Sequence, residues 1–173
     1  MWSWLRGRAR SVDQRTSLTQ RAHAFNQMAR TMALGTYEPL SEQIPSLTAA
    51  VPADRFNHWS LFWTVAYTWV AFARIGVDVP EGEREMVARI VVEELARSHP
   101  SAQPLFDDQS DFIAARAGAI SKNVTGTDVA LKSVLGLWLV WNLTGKATIP
   151  DERLVVSKVG HLSYESVADY WLA

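Results

Sequence analysis

Between Arg55 and Arg74 the chain runs for 18 residues without a charge, from Phe56 to Ala73 (FNHWSLFWTVAYTWVAFA). About 18 apolar residues is the length at which a helix becomes able to cross a bilayer. Here the run is diluted by Asn57, His58, Ser60, Thr64, Tyr67 and Thr68. At helical spacing it divides into three stripes. Asn57, Ser60, Thr64, Thr68 and Ala71 form a small, weakly polar one. Trp59, Trp63, Tyr67 and Val70 form the second, and Phe62, Val65, Trp69 and Phe72 the third. A helix that is apolar nearly all round belongs at the centre of a bundle or in a membrane. The dilution favours a core helix, starting at Asp54 after Pro52 and ending near Gly76. A membrane span is the alternative.

The rest of the chain supplies helices to surround it. Ser11 and Gln14 fit the capping box, in which each side chain satisfies an orphan backbone N–H, so a first helix is expected from about Ser11 to Leu34. Leu18, Ala22, Phe25, Ala29 and Met32 give it an apolar face, and Gly35 a stop. Residues 36–53 carry Pro39, Pro45 and Pro52 and are read as a connection with one short helix near Ser41–Leu47. A third long helix follows Pro80, with Glu81, Glu83 and Glu85 first and Arg97 and His99 last, the order that suits the helix dipole. A shorter one is expected from Asp108 or Ser110 to Ile120. Another follows Thr127 and ends at Gly145, again apolar on most sides. Gly136 within it costs about 1 kcal/mol relative to alanine unless another helix crosses closely there. The Leu154-Val155-Val156 stretch within 151–159 suits either a helix or a short strand. Ser163 to Leu172 reads as a last amphipathic helix, and His161 as a loop residue. The expected fold is therefore all-α: a single-domain bundle of five to seven helices over residues 1–173, centred on two aromatic-rich helices.

Composition narrows the function classes without choosing one. The absence of cysteine excludes a disulfide scaffold, a thiol enzyme and cysteine-ligated metal centres. A 48% hydrophobic content and a net charge of −1 exclude a low-complexity disordered chain and a globally basic nucleic-acid binder. The charge is uneven. Residues 1–30 hold six arginines against Asp13 alone. Residues 1–10 form a basic arm in which Trp2 and Trp4 stand beside Arg6, Arg8 and Arg10. Tryptophan and arginine together suit a protein interface or an anionic membrane surface, and a basic arm also suits nucleic acid. Met1 to Arg10 has no apolar stretch behind its arginines, so no secretory signal is read and a cytoplasmic location, possible also at a membrane periphery, is expected.

Two constellations suggest chemistry. Phe106-Asp107-Asp108-Gln109-Ser110-Asp111 places three carboxylates near an expected helix start, and hard oxygen ligands suit Mg²⁺. The hexapeptide resembles the first metal motif of isoprenyl-diphosphate and terpene synthases, which implies Asp107, Asp108 and Asp111 as Mg²⁺ ligands. The resemblance covers six residues, and the chain carries no second acidic motif of that family. The other reading is an acidic helix N-terminus. Asp54 and His58 lie four apart, so on one helix they would share a face as a carboxylate–imidazole pair. No residue stands out as their nucleophile. The sequence thus favours a non-catalytic protein-interaction module of the adaptor, regulator or inhibitor kind, without cofactor. The alternatives are a small ligand- or metal-binding enzyme using the aspartate cluster, and a membrane-associated subunit held by the Trp2/Trp4 arm or by residues 56–73.

Overall fold

The structure, a computed structural model, describes residues 17–120 and 127–172, with side chains described for 17–116 and 129–172. The arm residues Trp2, Trp4, Arg6, Arg8 and Arg10 lie outside this range, as do Ser11 and Gln14. Every regular element among the described residues is helical. Six are long: α1 (Leu18–Leu34), α5 (Trp59–Asp78), α6 (Glu81–Ser98), α7 (Ala102–Ile120), α8 (Thr127–Thr144) and α9 (Glu152–Glu165). Three are short: α2 (Tyr37–Gln43), α3 (Pro45–Ala49) and α4 (Ala53–Phe56). A 3-10 turn, Tyr170–Leu172, closes the chain.

The first long helix begins at a different serine from the one expected. Ser17 and Gln20 repeat the same capping pattern six residues on. Ser17 Oγ accepts from the Gln20 N–H at 3.3 Å, and Gln20 Oε1 accepts from the Ser17 N–H at 3.1 Å. The expected apolar face follows, with Ala22, Phe25, Ala29 and Met32 buried.

Residues 36–53 are not an irregular connection. Two short helices, α2 and α3, occupy most of them and meet at Ile44. Leu40, Ile44 and Leu47 are buried, so a repeat of three to four residues gives this stretch its own place in the core. Thr36 at its start is buried, donating to the Ala33 carbonyl at 2.7 Å and accepting from Trp59 Nε1 at 2.7 Å.

Helix α5 packs against α1, α6, α7, α8, α9 and the C-terminal 3-10 turn. By length and composition it could cross a membrane. Inside the bundle its buried face carries Phe62, Trp63, Val65, Tyr67, Val70 and Ile75. Of the weakly polar stripe, Thr64, Thr68 and Ala71 are buried, Ser60 is half-buried and Asn57 is exposed before the helix starts. Thr64 and Thr68 satisfy their hydroxyls within the helix, on the carbonyls of Ser60 and Thr64. The helix starts at Trp59, about a turn later than expected, because residues 57 and 58 break from the short α4 before it. Its far end is held by Arg74, which grips Asp78 through two hydrogen bonds of 2.8 and 2.7 Å.

The α8–α9 pair has the most extensive helix contact of the described residues. Gly136 and Gly160 make it. A Cβ added at Gly136 would collide with the Val156 carbonyl oxygen, and one at Gly160 with the Lys132 carbonyl oxygen. The two backbones therefore touch, which is the condition under which a mid-helix glycine is worth its cost. Gly145 stops α8 as expected. It takes a left-handed φ of 64°, and Lys146 N–H reaches back to the Trp141 carbonyl at 3.0 Å. That is the six-to-one bond of a Schellman cap.

Residues 152–165 form one helix, which settles Leu154–Val156 as helical and places His161 within α9 rather than in a loop. The amphipathic helix expected over 163–172 is absent. The chain turns after Glu165 so that Tyr170 and Trp171 can dock separately. Trp171 Nε1 donates to the Ala71 carbonyl of α5 at 2.8 Å. Tyr170 Oη donates to the Arg21 carbonyl of α1 at 2.8 Å, and the Arg21 guanidinium lies over both rings.

Candidate functional site

The residues singled out by sequence do not converge. Helix α7 starts at Ala102, so Asp107, Asp108 and Asp111 stand in its middle rather than at an N-terminus. All three are exposed. Asp107 accepts from Gln103 Nε2 one turn back, at 2.8 Å. Asp108 Oδ2 accepts from Trp138 Nε1 of α8, at 2.9 Å. Asp108 is thereby committed to a buried indole. No group of three metal-ligating side chains occurs among the described residues. Asp54 and His58 are separated by the break between α4 and α5. Both are exposed, and the charge nearest Asp54 is its neighbour Arg55, at 4.0 Å. The His58 ring instead faces the His99 ring edge-on, with centroids 6.4 Å apart.

A site that sequence reading passed over lies between α1 and α6. Helix α1 presents His23, Asn26, Gln27 and Arg30, spaced three, four and seven residues from the first. That spacing lines one helix face. Helix α6 presents Glu94, Arg97 and Ser98 by the same rule. Together they line a groove of about 340 Å³. This volume is at the lower end of the range of ligand pockets, roughly 300–1,000 Å³.

Polar contacts organise one wall of the groove. Glu94 Oε1 lies 2.8 Å from His23 Nδ1 and 2.7 Å from Arg97 Nη1. Arg97 Nη2 lies 3.0 Å from Glu93 Oε2. Arg97 is thus spanned by two carboxylates and its charge is answered. The other wall is not satisfied. Asn26 is only 5% exposed, and neither its amide nitrogen nor its amide oxygen has a hydrogen-bond partner among the described residues. A buried amide left this way costs about 1–3 kcal/mol. One turn further along, Arg30 is exposed and makes no ion pair with a described residue.

This arrangement can bind. Ser98 brings a hydroxyl to the groove lining, but its Oγ donates to the Leu95 carbonyl of its own helix at 2.6 Å. Burial pushes the Tyr170 phenol up to about 12, with the Arg21 guanidinium pulling the other way. Burial raises Tyr67 further still. Asp78 raises Arg74 by hydrogen bonding to its guanidinium.

The stripe from His23 to Arg30 is legible in the sequence as a polar helix face. Its partner face on α6 is not, because nothing local states which helices meet. Comparison with known protein families, with curated proteins and with solved structures gives no match.

Proposed function

We propose that the chain is a non-catalytic interaction module, a single helical domain acting in the cytoplasm, and that the α1/α6 face is where it meets its partner. One observation carries this reading. Asn26 is buried at the edge of a groove with both amide atoms unpaired. Two buried amides, Asn26 and Gln109, are unpaired among the described residues, and of these Asn26 lines the groove, so we take it as the one available to a ligand. The basic Trp2/Trp4 arm, outside the described residues, supplies a second point of contact in this proposal.

The test is cross-linking of the full chain in its own cells, followed by mass-spectrometric mapping. The expected result is a heterologous protein cross-linked to side chains on α1 and α6. Internal cross-links with no heterologous ones at any position would overturn the reading.

A further inference from the structure

We propose that the α1/α6 groove is a carboxylate-recognition site, in which Arg30 supplies the charge and the Asn26 amide the orienting hydrogen bonds. This rests on the reading of the chain as an interaction module and names the chemistry that the module recognises.

The ligand class follows from what the groove has and lacks. Among the described residues lining it, Arg30 is the one guanidinium without a carboxylate partner, since Arg97 is held by Glu93 and Glu94. One free guanidinium matches a single planar anion. Its fork of N–H donors fits the two oxygens of a carboxylate side by side. A phosphate dianion concentrates both charges on the one group that the guanidinium would hold, facing the carboxylates of Glu93 and Glu94, whereas a dicarboxylate spreads its charge over two separated ends and places only one carboxylate on Arg30. Asn26 and Arg30 stand one turn apart on the same face of α1, close enough to hold neighbouring atoms of one ligand. The Asn26 amide has no hydrogen-bond partner among the described residues, so its donors and acceptor remain to be used by a ligand. It offers one acceptor and two donor hydrogens, which suits a carboxylate next to an amide or a second carboxyl group. A free dicarboxylate meets that description. So does an aspartate or glutamate side chain of a partner protein, whose backbone amide lies within reach.

The experiment is titration of the full chain, followed by heteronuclear NMR of side-chain amide and guanidinium resonances. The probes are glutarate, the acidic tripeptide Gly-Asp-Gly, inorganic phosphate and the neutral glutaramide. Saturable shifts of the Asn26 and Arg30 signals with glutarate or with Gly-Asp-Gly are expected, and whichever binds tighter identifies the source as a free carboxylate or a protein side chain. Arg30→Gln, at an exposed position, is expected to weaken binding by about tenfold or more, the scale of a lost charge-assisted pair. Asn26→Leu is expected to weaken it comparably while the helical circular-dichroism spectrum is retained. Unchanged affinity in Arg30→Gln, an equal response to glutaramide, tighter binding of phosphate, or no saturable shift with either carboxylate would each overturn the assignment. Cross-links to a partner that persist in Arg30→Gln and map away from α1 would sink the carboxylate site alone and leave the interaction reading standing.

Discussion

Asp108 shows how one residue type at one position serves packing while its neighbours do not. Trp138 is 1% exposed, and its Nε1–H has the Asp108 carboxylate as acceptor. Asp108→Ala would leave that donor buried and unpaired, so a loss of about 1–3 kcal/mol is expected. Asp107→Ala and Asp111→Ala, at exposed positions, should stay within about 0.5 kcal/mol. Urea unfolding of the three variants checks this; equal losses at all three would point back to a shared ligand role. The same contrast holds at the end of α5. Asp78 is 4% exposed on its side chain and takes both hydrogen bonds of Arg74. Arg74 itself reaches solvent, which screens the charge term. Asp78→Ala is therefore expected to cost about 2 kcal/mol by loss of the paired hydrogen bonds, read by chemical denaturation. Neither role is visible in a string of residues. An aspartate in a helix reads as a solvated side chain or a cap until the structure shows which indole or guanidinium lies above it.

At the scale of an element, the α8–α9 contact shows what glycine does when two backbones touch. Replacing glycine by alanine inside a helix ordinarily gains about 1 kcal/mol. At Gly136 and Gly160 the added methyl meets backbone atoms, which cannot swing aside as a side chain can. Gly136→Ala and Gly160→Ala are each expected to destabilise the protein by about 2 kcal/mol or more, overpacking outweighing propensity. Thermal unfolding tests the sign; a raised midpoint in either variant would mean the helices part at little cost. Helix boundaries carry the same lesson. The stop at Gly145 is legible because it acts through local backbone chemistry. S-x-x-Q occurs at both Ser11 and Ser17, so the pattern alone does not single out the start of α1. The two helices within residues 36–53 were underestimated because three prolines dominate that stretch. Pro39 lies in the first turn of α2 and Pro45 opens α3, positions where the missing N–H is no loss.

For the whole molecule, the chain's end is a structural member. Tyr170 and Trp171 bridge α1 and α5, and with Phe25 and Arg21 they form one aromatic–cationic cluster. This makes stability depend on alkaline pH. The Tyr170 phenol ionises near 10.0 when unfolded and near 12 when folded. Below the unfolded value both states hold the proton and its contribution is complete. Between about 10 and 12 the unfolded chain releases the proton and the folded one does not, so stability falls as pH rises. Tyr67, raised by burial, adds to the same slope. The thermal midpoint is expected to drop across this window, and less steeply in Tyr170→Phe. A midpoint that stays level from pH 9 to pH 12 would refute the coupling.

The amino-acid sequence by itself determined that the chain is all-helical, where most of its long helices lie, and which residues line their apolar faces. Those properties arise from periodicity and caps, which are local. Tertiary structure alone decided that α1 meets α6, that Asp108 answers Trp138, that His58 falls in the turn after α4 rather than on a helix with Asp54, and that Asn26 is buried beside a groove. Each of these depends on which faces pack together. Packing is settled by the shapes of residues far apart in the chain, such as two glycines that let α8 and α9 close, and by no repeat within either helix.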